Sequence, residues 1–176
     1  MQTRHQDRSA YFEETATSCR NYYLPYIEQH TSLKFGRKCR VMEVGCGFGG
    51  ILSIFAAKGA TVTGIDIHKP SIKTAKTLFA ERGLKGTFIC SDIFDYSDTQ
   101  PYDLIILHDA LEHIPEKERL MLHLKSFLKA DGLLYLGFPA WQMPFGGHQQ
   151  MAKNRIIANC PYIHLLPRSL FRFVFR

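Results

Sequence analysis

The stretch VMEVGCGFGG, residues 41–50, constrains the fold of this chain more than any other. An apolar run carrying a single acid, Glu43, breaks into Gly45, Gly47, Gly49 and Gly50 before apolar residues resume in ILSIFAA. Glycine lets a backbone turn sharply at positive φ and approach a ligand closely. A buried strand, a glycine turn and a helix are therefore predicted in that order. Such a unit needs a parallel neighbour and a layered sheet to bury it.

The rest of the chain repeats the alternation. CRVMEVGC, ATVTGIDI, GTFICSDI, YDLIILHD and LLYLGFP read as strands. GGILSIFAAKG, KPSIKTAKTLFAERG and PEKERLMLHLKSFLKADG, residues 115–132, read as the helices between them. Pro70 and Pro115 sit at helix starts, and Gly59, Gly83 and Gly132 at or near their ends. LIIL and LLYL are continuous apolar runs, as expected for strands buried on both faces. Residues 9–31 carry Tyr11, Phe12, Ala16, Cys19 and Tyr23 at helical steps, and Pro25 is predicted to interrupt that helix. The expectation is one α/β domain, Rossmann-like and doubly wound, with a mostly parallel sheet and helices on both faces. Its parts are an N-terminal helical lid at 1–37, a cofactor-binding core at 38–139, and a substrate-side loop at 140–176. A short helix is expected near 150–157.

Composition narrows the class. With 45% hydrophobic and 22% charged residues the chain reads as an ordinary soluble domain, and no run nears the roughly 20 apolar residues of a membrane span. The polar start MQTRHQDRSAYFEE does not read as a signal peptide. Five cysteines without a C-x-x-C pair read as reduced thiols in a cytoplasmic protein, and no metal site is expected. The net charge of +6 comes from the end of the chain, because Asp131 is the last acid and five of the 22 basic residues follow it. That basic end is either a solvated surface or an attraction for an acidic partner. Without a Lys/Arg run or a recognition motif, nucleic acid is not the expected partner.

Ligands of such sheets bind at the carboxyl ends of the strands. The unusual residues collect there: Gly45 to Gly47, Asp66, Asp92, His108 with Asp109, and Pro139. The glycine loop and the following helix N-terminus favour an anionic group. Gly45, Gly47 and Gly50 spell G-x-G-x-x-G, so a dinucleotide is one reading. Glu43 opposes it, since a carboxylate repels a pyrophosphate and attracts an ammonium or sulfonium. Asp66 at the second strand end suits a pair of ribose hydroxyls in either reading. Asp92, with Ile67 and Ile93 beside it, suits an exocyclic adenine amine and so a single nucleoside.

Together, EVGCGFG at 43–49, the acid at 66, SDI at 91–93 and HDALEHI at 108–114 resemble class I S-adenosylmethionine-dependent methyltransferases. The likeness is greatest to the group that includes ubiquinone-biosynthesis and related small-molecule methyltransferases, and it covers residues 38–139. It implies S-adenosylmethionine as cofactor and in-line methyl transfer to a small molecule. Glu43 and the backbone of Gly45, Cys46 and Gly47 would meet the methionine part, and so would the backbone of His108. Asp66 would take the ribose, Ile67, Asp92 and Ile93 the adenine, and Tyr11 would close over the site. The family's sheet ends in an antiparallel strand pair that is expected to be missing here, and the 140–176 segment or a second copy would then cover the exposed fifth strand.

Methyl transfer needs alignment and exclusion of water, and a hydroxyl acceptor also gains from a base. The base candidates are His108, His113, His148 and His164. His148, in the glycine-flanked PFGGHQ beyond the fifth strand, is the expected catalytic residue. Glu112 and His113 are adjacent on a predicted helix and diverge, so a shared metal is not expected. Trp141, Phe145 and Tyr162 form either an apolar substrate wall or loop packing. The basic, aromatic end suits an acidic or amphipathic acceptor. Two rival readings remain: an NAD(P)-binding oxidoreductase, and a truncated module that binds the cofactor but turns over weakly.

Overall fold

The computed structural model describes residues 7–140, 142–144 and 158–167, apart from the His164 side chain. Five strands form one sheet: β1 (Arg40–Val44), β2 (Thr61–Asp66), β3 (Thr87–Cys90), β4 (Tyr102–His108) and β5 (Leu128–Gly137). Their order is β3-β2-β1-β4-β5 and every pairing is parallel. The order reverses between β1 and β4, which opens a crevice at the carboxyl ends of those two strands. β5 pairs only with β4 among the described residues.

Register separates two cores. Val41, Val62, Leu104 and Ile106 face one side, where α3 (Gly50–Ala57) and α4 (Lys69–Glu81) cover them. Met42, Val44, Ile65, Ile105 and Leu107 face the other and meet Leu120, Leu124 and Phe127 of α5 (Lys117–Phe127). The turn from β2 to β3 continues in the same direction as that from β1 to β2, so α3 and α4 share a face. The step from β4 to β5 runs the opposite way and places α5 on the second face, as right-handed crossovers require.

The N-terminal helix belongs to the first core. Asp7 caps α1 (Arg8–Ser18) by accepting the Ala10 N–H at 3.0 Å. Phe12 and Ala16 of α1, Cys19 beyond it, and Leu24 and Ile27 of α2 (Leu24–His30) are buried in the same cluster as α3. α1 lies so close to α3 that a Cβ on Gly50 would meet Thr15 Oγ1 at 2.0 Å. The interruption expected at Pro25 is a π-helical segment, Cys19–Tyr23, in which Leu24 N–H reaches back to the Cys19 carbonyl. The wider turn gives the ring of Pro25 room and leaves its missing donor harmless.

Two expected boundaries move. The helix predicted over 115–132 ends at Phe127, its last buried apolar residue, and LKADG enters β5. Leu128 pairs with Tyr102, Lys129 Nζ bonds Asp103 Oδ1 at 2.6 Å, and the ladder then bulges before Leu133 meets Leu104. Gly132 is not a helix cap. It lets the bulge fold tightly, since a Cβ there would fall 2.9 Å from the Lys129 nitrogen and the Tyr102 oxygen. β3 stops at Cys90 instead of reaching 93, because Asp92 Oδ1 accepts the Phe94 N–H at 2.9 Å and starts a 3-10 turn, Ile93–Asp95.

The chain divides into two compact units at Gly137 and Phe138. In the second, Tyr162 has φ 64° and donates its N–H to the Pro144 carbonyl at 2.6 Å, ahead of a 3-10 turn at Ile163–Leu165. The helix expected near 150–157 lies outside the described residues, as do Trp141, Phe145 and His148.

Candidate functional site

A cleft of about 460 Å³ opens at the carboxyl ends of β1, β2, β3 and β4. Gly45, Asp66, Ile67, Asp92 and Ile93 line it, and five residues predicted from sequence therefore converge. The arrangement follows from the parallel register, which brings the ends of neighbouring strands level.

The glycine loop is held from below rather than left free. Gly45 and Cys46 both donate to the Ile65 carbonyl, at 2.8 and 3.1 Å, and Gly47 donates to Asp66 Oδ2 at 2.8 Å. Those three N–H groups are therefore consumed within the fold rather than aimed at an anion. Gly45 and Gly47 stand at φ 75° and 51°. A Cβ on Gly45 would strike Ala110 Cβ at 2.6 Å, whereas at Gly47 it would meet nothing within 4 Å. Gly45 is thus required by packing, and Gly47 by conformation beside open space.

Glu43 is turned to the α3 face and is only 3% exposed. Burial pushes its carboxyl well above the ordinary value, Asp66 pushes it the same way, and the Leu52 N–H at the start of α3 opposes them. One oxygen, Oε2, has no hydrogen-bond partner among the described residues. Cys46 packs on the same side, where its sulfur would lie 2.7 Å from a Cβ on Gly64. Burial, then Glu43, raises the Cys46 thiol, and the same pair of causes raises Cys19 to about 12. These thiols are packing groups, not nucleophiles.

Asp66 holds the loop with Oδ2 and the His68 N–H with Oδ1, at 2.8 Å each. Each oxygen keeps a second lone pair. Ile67 beside it is 76% exposed, an apolar side chain left uncovered at the mouth of the cleft. Ile93 lines the cleft from a buried position. Tyr11 sits edge-on to Phe48 of the glycine loop, with ring centres 5.8 Å apart. His108 ends β4 with its ring directed to the first core, 4.7 Å from that of Tyr23.

Sequence reasoning named Asp109 only as a strand end, yet it lines the cleft at φ 51°. Positive φ at an aspartate is uncommon and marks a constrained site. Ser91, Phe94, Ala110 and His113 also line the cleft and were not expected to bind cofactor. The signal for His113 was the LEHI element, whose residues Leu111–His113 form a 3-10 turn here rather than a helix start. Among the described residues no group of three His, Cys, Asp or Glu is arranged to hold a metal ion.

A family model for a methyltransferase domain matches residues 36–170. The chain belongs to that methyltransferase family. A ubiquinone biosynthesis O-methyltransferase of Idiomarina loihiensis is 34% identical over 114 residues, covering 64% of this chain and 46% of that protein. One from Coxiella burnetii is 39% identical over 114 residues, with 64% and 47% covered. The chain spans about half the length of the curated relatives it matches. A crystal structure of an S-adenosylmethionine-dependent methyltransferase from Clostridium acetobutylicum superposes with a TM-score of 0.62 at 17% identity, covering 73% of this chain and 51% of that one. At that identity the likeness is one of fold. The cleft of this methyltransferase domain sits at the reversal of strand order, where open α/β sheets bind ligands.

Proposed function

We propose that the domain binds S-adenosylmethionine in the cleft and methylates a hydroxyl on a small molecule. The observation that carries this reading is the meeting of Asp66, exposed Ile67, Ile93 and Asp92 around one cleft beside Gly47. Those residues fit a nucleoside. Asp66 would accept from ribose hydroxyls with the lone pairs its loop bonds leave, and Asp92 would accept from the adenine amine. Ile67 and Ile93 would flank the ring, and Gly47 offers space where a side chain would intrude. When bound, the cofactor supplies a methyl group already activated on a sulfonium. The protein's part is to align the acceptor, exclude water and take a proton. Glu43 acts through α3 and the loop rather than by contact. An acidic or amphipathic acceptor suits the basic C-terminal part of the sequence, and the hydroxyl is carried over from the relatives' name as O-methyltransferases. A second copy pairing along β5, whose outer edge has no strand beside it among the described residues, would extend the sheet.

The dinucleotide reading has only the glycine spacing in its favour. Calorimetric titration with S-adenosylhomocysteine, with NAD as the control, separates the two. Micromolar binding of the former alone is expected; binding of NAD alone would overturn the proposal. Asp66→Ala is expected to weaken S-adenosylhomocysteine by about 10- to 100-fold, the effect of leaving polar partners unpaired.

A further inference from the structure

His108 has features that cofactor binding does not use. Its Nδ1 stands 3.4 Å from Asp109 Oδ2, and its side chain keeps 22% of its surface exposed. A carboxylate beside Nδ1 favours the tautomer with the proton there, which leaves Nε2 with a free lone pair. The ring lies against Gly137, where a Cβ would come within 2.6 Å of Cδ2 and 3.3 Å of Nε2. Glycine in LLYLG is thus what admits the ring.

Around His108 is a set of aromatic rings on the same side of the sheet. Tyr23 of the π-helical segment lies 4.7 Å from the imidazole, and Tyr135 of β5 lies 5.8 Å from Tyr23. Tyr26 follows at 6.4 Å from Tyr135 and is 57% exposed, so the cluster opens to solvent. Burial raises the Tyr23 hydroxyl, with Asp109 adding to it, and burial raises that of Tyr135 as well. The titratable groups facing His108 are therefore Asp109, Tyr23 and Tyr135. Asp109 also lines the cofactor cleft, so the imidazole stands one residue from the place where the methyl would be presented.

We propose that His108, oriented by Asp109, is the base that takes the proton from a hydroxylated aromatic acceptor lying against Tyr23 and Tyr135. The proposal rests on the methyl-transfer reading above. The O–H bond breaks with its electron pair left on oxygen, and the proton passes to Nε2. That oxygen forms the new bond to the methyl carbon as the carbon–sulfur bond breaks, with its pair going to sulfur. The imidazolium then returns its proton to water.

The test needs no turnover. The full chain is first titrated with S-adenosylhomocysteine; failure to bind at that step overturns the cofactor reading and this proposal with it, whereas failure at the second step overturns this proposal alone. The loaded protein is then titrated at pH 6 with 4-nitrocatechol, whose phenolate absorbs in the visible. Wild type is expected to bind it as phenolate. His108→Gln is expected to bind it about ten-fold or more weakly and without ionisation, having lost a hydrogen bond to a charged partner. Retained affinity for S-adenosylhomocysteine shows that this variant is folded. Tyr23→Leu leaves the imidazole in place and is expected to weaken the ring several-fold while it still ionises. Absence of 4-nitrocatechol binding, binding as the neutral phenol, or equal ionisation in His108→Gln would each overturn the proposal.

Discussion

The two ends of the sheet handle buried polar groups in opposite ways. At the amino ends, Asp98 accepts from Tyr102 at 2.7 Å, from Tyr96 at 3.1 Å and from the Arg40 guanidinium at 2.7 Å. Asp103 takes the Arg40 N–H and the Lys129 ammonium, at 2.7 and 2.6 Å. Arg40 also lies over the Tyr102 ring, and its Nε is the one buried atom there without a partner among the described residues. At the carboxyl ends, Glu43 keeps an oxygen unpartnered among the described residues, Asp109 sits at positive φ and Ile67 faces solvent. One end is closed on itself and holds strands together. The other carries unmet demand, which is what a ligand site requires.

The largest effect should come from breaking the closed end. Asp98→Ala removes the common acceptor of two phenols and a guanidinium, and is expected to cost about 2–4 kcal/mol in thermal or urea unfolding. Affinity for S-adenosylhomocysteine, measured where the variant is still folded, should change little. Asp66→Ala should invert that pattern, with the affinity loss given above and a drop in stability of only about 1 kcal/mol. Equal damage to stability and affinity from both substitutions would remove the distinction between the ends.

Acidity sharpens the contrast, because the two ends titrate with opposite sign. Burial favours the neutral form of Asp98, but the Gln100 N–H, both phenols and Arg40 outweigh it and hold its pKa below the ordinary value. Its contribution is therefore full above the ordinary aspartate range and is lost as pH falls through the lowered value. Glu43 is raised, so its contribution is full below the ordinary glutamate range and is lost as pH rises through the raised value. Glu43→Gln, which keeps an acceptor for the Leu52 N–H, is expected to match wild type in melting temperature near pH 4 and to exceed it increasingly toward pH 8. A constant difference across that range would show that Glu43 is ionised in the fold.

Sequence alone reached the strands, the helices and the positions of Gly45, Asp66, Ile67, Asp92 and Ile93 around one cleft, because each depends on local pattern plus strand parity. It missed what depends on the partner across a turn. Nothing in VMEVGCGFGG says that Ile65 and Asp66 will consume the loop's N–H groups, or that Glu43 will point to α3. LKADG resembles a helix end until Tyr102 offers a strand to pair with. The direction of the His108 ring is likewise set by Gly137, a residue 29 positions later in the sequence.

The smallest expected effect isolates the open end most cleanly. Ile67 is 76% exposed and lies beyond the last residue of β2, so the folded core gains almost nothing from it. Ile67→Ser should therefore alter stability by no more than about 0.5 kcal/mol, as surface substitutions do. An apolar side chain that stays uncovered at a cleft mouth gains its burial only when a ring covers it. Removing it should weaken S-adenosylhomocysteine by about 1 kcal/mol, near five-fold, for the apolar area no longer buried on binding. Calorimetry on the two proteins measures this directly. If the substitution lowers the melting temperature by several degrees and leaves affinity intact, Ile67 belongs to the fold, and the adenine lies elsewhere in the cleft.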